Sequence, residues 1–350
     1  MSVFEHSEYD DHEHVAFFQD KASGLKAIIA VHNSNLGNAL GGCRMWPYMN
    51  DEEALRDVLR LSKGMTYKAA MAGLKQGGGK AVILGNPRTD KTSEKMLAMG
   101  QFVESLSGKY ISAEDSGLTV ADLKLMSTQT KHVAGIQAKY HINSEPADGN
   151  PAPSTSYGVF VGLKTSVKYA LNVDLKGIKV AIQGLGHVGM RLAKHLHEQG
   201  AILFVTDIHA DNIEIAVSAF SATPVSPDEV YDLDVDVFAP CAMGAILDEK
   251  SISRLKAKVV AGAANNQLAK EQFGQLLADK GILYAPDYVI NAGGIIDIYH
   301  QSIDSSDTDL RAHIEKISDT LIEIYQRAKL EGIATNVVAN QIAEERFNQK

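Results

Sequence analysis

The chain has 350 residues, 45% hydrophobic and 22% charged, with 34 Lys and Arg against 43 Asp and Glu and a net charge of −9. That balance is ordinary for a soluble two-domain protein and excludes the basic footprint of a nucleic-acid binder. Two cysteines, Cys43 and Cys241, make no disulfide framework and point to a reducing compartment.

The N-terminus, MSVFEHSEYDDHEHV, is acidic and has no apolar signal core. No apolar run approaches the ~18–20 residues of a membrane span, so a cytoplasmic location without membrane contact is expected. His6, His12 and His14 cluster here without metal-site spacing. They read as a solvated, partly helical end, and no metal site is expected.

Residues Leu25 to His32 read as a strand and Asp51 to Gly64 as a helix, with acids in its first turn and Gly at its end. Lys80 to Leu84 read as a strand stopped by Gly-Asn-Pro, Glu94 to Leu106 as a helix, and Lys109 to Ser112 as a short strand. His141 to Ser156 is rich in Pro, Gly, Asn and Ser without periodicity, and reads as a hinge or linker. Beyond it, Tyr157 to Leu171 read as a helix, Ile178 to Gln183 as a strand, Val188 to Glu198 as a helix, and Ile202 to Thr206 as a strand. Such a strand–helix–strand unit implies a parallel sheet covered by helices. Short strands are expected at Val235–Ala239, Lys258–Ala261 and Gly281–Ala285, one long amphipathic helix over Asp309–Glu331, and a last helix over Val337–Phe347.

Gly184-Leu185-Gly186-His187-Val188-Gly189 is a G-x-G-x-x-G between a strand and a helix, and Asp207 ends the following strand. Gly184 suits the tight turn, Gly186 a close approach of pyrophosphate, and Gly189 close helix–strand packing. The helix N-terminus offers N–H groups to phosphates. Asp207 suits the adenosine ribose hydroxyls and repels a 2′-phosphate, which favours NAD over NADP. The alternative for Asp207 is a carboxylate that caps a nearby turn.

Lys63 to Leu84, KGMTYKAAMAGLKQGGGKAVIL, is the most unusual stretch. The plain reading is a flexible loop with surface lysines. Lys68 and Lys80, however, lie among small or apolar neighbours, and the triple glycine before Lys80 allows a close approach. A lysine in a dry pocket near another cation loses its proton more easily and can serve as a base. A second lysine can stay charged by pairing with a substrate carboxylate. Asp115, beside Gly117 on a loop, could relay a proton or simply cap a turn.

These stretches resemble the leucine, phenylalanine and valine dehydrogenase group of amino-acid dehydrogenases, and its leucine dehydrogenases most. The matching segments are LGGCRMWPY (40–48), RLSKGMTYKAAMAGL (60–74), GGGKAVI (77–83), SAEDSG (112–117), GLGHVG (184–189), FAPCAMGA (238–245), AGAANNQL (261–268) and APDYVINAGG (285–294). The resemblance implies an α/β protein of two domains. An N-terminal α/β substrate domain (1–140) faces a Rossmann-type NAD domain (157–330) across a hinge (141–156), and C-terminal helices (331–350) pack back across the cleft.

It also implies roles. Lys80 would be the general base and acid, and Asp115 would exchange protons with the amino group. Lys68 would bind the substrate carboxylate, with Gly41, Gly42 and Asn291 beside it. Leu40, Met65, Ala113, Val289, Ile295 and Ile298 would shape an aliphatic side-chain pocket. Thr155, Leu185, His187, Val188, Ile208, Pro240, Cys241, Ala242, Ala263, Asn265 and Asn291 would join the glycine motif and Asp207 around NAD.

A thiol such as Cys241 reads as packing, since the chemistry needs no sulfur nucleophile. The implied reaction is NAD-dependent oxidative deamination of leucine, isoleucine or valine to the 2-oxo acid and ammonia, by a homo-oligomer (dimer or octamer). Ala113, where phenylalanine enzymes tend to carry Gly, argues against the alternative of an aromatic substrate. Lys68, Lys80 and Asp115 all stand, which argues against an inactive NAD-binding sensor. Departures from the usual leucine-enzyme pattern fall at Ser116, at Ile295-Ile296-Asp297 and before the hinge.

Overall fold

The computed structural model describes residues 3–137, 142, 150–303 and 305–349. The first sheet is built from β1 (His14–Asp20), β2 (Leu25–Asn33), β3 (Ala39–Trp46), β4 (Gly77–Leu84) and β5 (Tyr110–Glu114), with helices α1 (Asp51–Met71), α2 (Ser93–Ser105) and α3 (Val120–Met126) between and after the strands. Its strand order is β1-β2-β4-β3-β5. Strands β1 and β4 run antiparallel to β2, while β3 lies parallel to both β4 and β5.

Next come α4 (Ala152–Leu171), β6 (Lys179–Gln183), α5 (His187–Glu198), β7 (Ile202–Thr206), α6 (Ala210–Phe220), β8 (Thr223–Pro224), β9 (Val237–Pro240), α7 (Glu249–Arg254), β10 (Val259–Val260), α8 (Phe273–Asp279) and β11 (Leu283–Tyr284). They form a second sheet in the order β11-β10-β9-β6-β7-β8, parallel throughout. The order reverses beside β6, the position where doubly wound sheets open a binding crevice. The chain ends with α9 (Asp287–Ile290), α10 (Gly293–Gln301), α11 (Asp307–Glu315), α12 (Ile317–Glu331) and α13 (Thr335–Phe347).

Several expectations are corrected. Helix α1 does not stop at Gly64 but runs on to Met71 and turns at Gly73, where φ is +65°. A mid-helix glycine costs only about 1 kcal/mol, and burying Thr66, Tyr67, Ala69, Ala70 and Met71 outweighs it. Lys68 therefore sits on a helix, not a flexible loop. The triple glycine is likewise part of a strand. A methyl group on Gly78 would lie 2.0 Å from the Thr66 amide nitrogen, so α1 crosses β4 at a distance only glycine permits.

His6 and His12 are buried, and His14 opens β1. His12 Nε2 lies 3.1 Å from the Leu59 carbonyl and 3.0 Å from Ser62 Oγ on α1. His12 is thus packed against the first sheet's helix, while Phe4, Glu5, Asp10, Asp11 and Glu13 around it stay exposed and Val3–Glu5 form a short helical turn. No group of His, Cys, Asp or Glu fit to hold a metal occurs among the described residues, where both cysteines are free.

The expected helix over 309–331 is two helices. The Lys316 amide bonds to the His313 carbonyl at 3.1 Å, a tight turn that redirects the chain. Of the expected hinge, His141 and residues 143–149 lie outside the described residues. Residues 152–156 already form the first turn of α4, where Pro153 is tolerated because the first-turn N–H groups have no helical partner.

Helix α13 returns to the first sheet's helix. Tyr67 donates to Glu344 at 2.7 Å, and Arg346 reaches the Met71 carbonyl at 3.2 Å, where α1 ends. Among the described residues no helix is long and apolar enough to cross a membrane.

The close crossing at Gly78 gives a test. Gly78→Ala should lower the unfolding free energy by about 1–3 kcal/mol, the usual cost of overpacking. Gly64→Ala, which meets nothing within 4 Å, should raise it by up to about 1 kcal/mol. Denaturant titration of both variants checks the opposite signs.

Candidate active site

Strand β3 lies between β4 and β5, and Gly42 lies between Lys80 and Asp115. A methyl group on Gly42 would come within 2.7 Å of Asp115 Cβ and 3.1 Å of Lys80 Nζ. Any larger residue would separate the two charges. With glycine there, Lys80 Nζ donates directly to Asp115 Oδ2. Lys80 is buried, its side chain 7% exposed, against 19% for Asp115. Gly41 is equally constrained, since its Cβ would overlap the Gly79 carbonyl at 1.7 Å. The Gly41 carbonyl in turn accepts from Tyr110 at 2.7 Å.

Burial by itself would raise the Asp115 pKa. Lys80 and Arg44 outweigh it and hold the carboxyl well below the usual carboxylate range. Asp115 Oδ1 also accepts from the Ser116 amide at 2.6 Å and the Ser116 hydroxyl at 3.2 Å.

Lys68, in the last part of α1, points across to the second half of the chain. Its Nζ donates to Asn291 Oδ1 at 2.7 Å, and Asn291 Nδ2 donates to Asn265 Oδ1 at 2.7 Å and to the Ala263 carbonyl at 3.1 Å. Burial pushes the Lys68 pKa down to about 8; Lys80 adds to this, while Asp287 and Asp115 oppose it. Asp287 is held by the Gln267 amide at 2.8 Å and by Tyr284 at 3.2 Å.

A cavity of about 230 Å³ joins these groups. Its walls include Leu40, Gly41, Gly42, Met65, Lys68, Lys80, Ala113, Asp115, Asn265, Ile295 and Ile298, all expected from the sequence. Val289 is buried in the core and does not line it. Asn291 reaches the site through Lys68. Arg44, Asp287 and Tyr288 also line the cavity and were not foreseen. Arg44 lies two residues beyond Gly42 and so on the same face of β3, a strand that no local pattern announced.

The glycine motif has its expected geometry. Gly184 turns from β6 with φ +100°, and a Cβ on Gly189 would meet the Gly184 carbonyl at 2.0 Å. Gly186 faces open space, and α5 begins there with no side-chain cap, leaving its first N–H groups for a ligand. His187 and Val188 form the first turn of that helix.

Asp207 Oδ2 accepts from the Leu185 amide at 2.5 Å and Oδ1 from the His209 amide at 2.8 Å. Burial opposes the charge of Asp207, but these amides outweigh it and keep the carboxylate ionised. Ile208 is 88% exposed beside it. On the other flank, the Cys241 amide bonds to the Gln183 carbonyl at 2.7 Å, and Pro240 and Ala242 adjoin it. Burial raises the Cys241 thiol to about 12, so it stays protonated. Thr155 is in the first turn of α4, its hydroxyl donating to Pro151 at 2.9 Å.

Two α/β sheets, one of Rossmann type, with a buried and a half-buried lysine in the cavity between them, define a dehydrogenase class. The match of family models is specific. Residues 12–132 match the Glu/Leu/Phe/Val dehydrogenase dimerisation domain, and residues 150–210 and 203–348 match the Glutamate/Leucine/Phenylalanine/Valine dehydrogenase model. The chain belongs to this family of amino-acid dehydrogenases.

Leucine dehydrogenase of Thermoactinomyces intermedius is 48% identical over 348 residues, 99% of this chain and 94% of the relative. L-tryptophan dehydrogenase of Nostoc punctiforme is 47% identical, covering 99% of this chain and 97% of the relative. The crystal structure of L-tryptophan dehydrogenase from Nostoc punctiforme superposes with a TM-score of 0.85 over 96% of both chains.

Lys68 supplies a direct test of this electrostatics. Competitive acylation followed by mass spectrometry should give an inflection near pH 8 at Lys68, against about 10.4 for exposed lysines. An inflection at or above 10 contradicts the described environment.

Proposed function

We propose that the chain catalyses the reversible, NAD-dependent oxidative deamination of leucine, isoleucine or valine to the 2-oxo acid and ammonia. The Lys80–Asp115 pair, beside Lys68 in a cavity that also presents Leu40, Met65, Ala113, Ile295 and Ile298, is the observation that carries this reading. Similarity to leucine dehydrogenases supports the substrate class.

Lys68, protonated below about pH 8, binds the substrate carboxylate with Asn291. Two cations near the α-carbon favour the neutral amine, whose lone pair the imine requires. Bound NAD would supply the hydride acceptor. Gly184, Gly186, Gly189 and the α5 N-terminus would hold its pyrophosphate, Asp207 and Ile208 its adenosine end, and Thr155, Pro240, Cys241, Ala242, Ala263 and Asn265 its nicotinamide side. Lys80, after giving up its own proton to solvent, takes a proton at Nζ from the water that adds to the imino carbon. Asp115 carries protons to and from the departing nitrogen. Closing the cleft excludes other water and strengthens each contact.

The carboxylate of Asp207 disfavours a 2′-phosphate and so supports NAD over NADP. Leu40, Met65, Ala113, Ile295 and Ile298 leave room for a branched aliphatic side chain. The similarity to an L-tryptophan dehydrogenase and to a phenylalanine dehydrogenase, 42% identical, supports an aromatic substrate as the second reading. Residues 1–140 form the substrate domain and 157–330 the NAD domain, with the hinge ahead of the first turn of α4 and the returning helix within 331–350. The enzyme works as a soluble cytoplasmic homo-oligomer, dimer or octamer.

Three measurements test this. Lys80→Ala and Asp115→Asn should each lower kcat by roughly 10²–10⁴-fold, the usual size of a general acid–base contribution. Leucine should exceed phenylalanine and tryptophan in kcat/KM; faster turnover of an aromatic substrate rejects the branched-chain assignment. NAD should exceed NADP, and Asp207→Ser should narrow that preference by at least about tenfold, equivalent to ~1.4 kcal/mol.

A further inference from the structure

The strand between Lys80 and Asp115 carries a third charge. Arg44 follows Gly42 by two residues, so its side chain leaves the same face of β3. Its Nη1 donates to Asp57 Oδ2 on α1 at 3.0 Å. Its Nε lies 3.5 Å from Asp115 Oδ2 and is a buried N–H without a hydrogen-bond acceptor. Asp57 is itself held by Tyr48 at 2.7 Å and Arg60 at 3.0 Å. One edge of the guanidinium is therefore clamped from behind, and its uncommitted edge faces the catalytic pair. An arginine keeps its charge at every pH the protein survives.

We propose that Arg44 is a positioning residue: a permanent counter-ion that lowers the proton affinity of the Lys80–Asp115 pair and holds Asp115 in place when Lys80 moves its proton. This rests on the reading of Lys80 and Asp115 given above. When Lys80 is neutral, Asp115 loses its nearest cation and would otherwise keep any proton it takes up in the partly dry cleft. Arg44, 3.5 Å away, remains charged at that moment and makes the uptake transient, so that Asp115 passes the proton on. No bond forms or breaks at Arg44. The pair titrates as a unit, so its macroscopic behaviour is the quantity Arg44 shifts.

The other groups around the pair do not duplicate this role. Lys68 and Asp57 approach from α1, Cys43 from β3, Tyr110 and Glu114 from β5, and Asp122 from α3. Burial holds Cys43 protonated, its pKa raised to about 12, and keeps Tyr110 neutral. Burial, then Asp115 and Asp122, raise the Glu114 pKa. Lys68 is committed to Asn291 and, in turnover, to the substrate carboxylate. Among the described residues, the remaining cation paired with Asp115 is Arg44.

The test is the pH profile of kcat/KM for leucine with NAD, measured on the full chain. Arg44→Met should move the acid limb up by about 1–3 pH units, the range for losing an opposite charge at this distance. Arg44→Lys should move it less. Asp57→Asn, which removes the carboxylate that offsets Arg44, should move it the other way, to lower pH. The KM for NAD should change little in all three.

A uniform loss of kcat with an unmoved limb overturns the proposal, since a merely structural arginine would give that result. If Arg44→Met does not fold, Arg44→Lys and Asp57→Asn decide, and shifts of the same sign or no shift overturn it. Wild-type turnover in Asp115→Asn overturns the reading of the site and this inference with it. An inactive Asp115→Asn beside an unmoved limb in the Arg44 and Asp57 variants overturns this inference alone.

Discussion

A lysine and an aspartate face each other over a glycine, and the architecture of the first sheet follows from that meeting. Lys80 comes from β4 and Asp115 from the end of β5, strands that flank β3. A side chain at Gly42 would fill the gap. Removing two charges from water costs several kcal/mol each, recovered only where geometry is good and the remaining atoms are bonded. Here Asp115 has Lys80, Ser116 and Arg44 around it, so the pair can stay ionised while nearly dry.

That pair sets constraints at longer range. Gly78 lets α1 lie close on β4, and the helix carries Lys68 to the same cavity. Lys68 then meets Asn291, which bonds to Asn265 and Ala263, so one chain of polar contacts joins the two halves of the protein. Helix α13 ties off the end of α1 through Tyr67–Glu344 and Arg346. The helix that bears Lys68 is therefore fixed at both faces. A site assembled this way depends on packing far from the chemistry, and small displacements of α1 would separate all three charged groups.

The two lysines take different environments in one cavity. Lys68 is half-buried and its pKa falls to about 8, because burial and Lys80 disfavour its charge more than Asp287 and Asp115 support it. Lys80 is more deeply enclosed but has a carboxylate in direct contact.

Much of this was legible along the chain. The G-x-G-x-x-G and Asp207 lie within one strand–helix–strand unit, where local turn geometry, helix polarity and spacing define the cradle without help from the rest of the fold. Lys68, Lys80 and Asp115 were recognisable as a set through the segments that resemble known amino-acid dehydrogenases. Strand β3 was not legible, since two glycines weaken any local preference for a strand, and it exists because β4 and β5 pair with it from both sides. Nor was the length of α1, where burial overrides Gly64, or the burial of His12, which α1 holds through Leu59 and Ser62. Arg44 and Asp287 join the site only through tertiary register, from β3 and α9. By itself the sequence determined many of the elements and the glycine turn with Asp207, because those depend on short-range spacing. Tertiary structure alone decided which charges face one another and how dry they are, because proton affinity depends on neighbours in space and not in sequence.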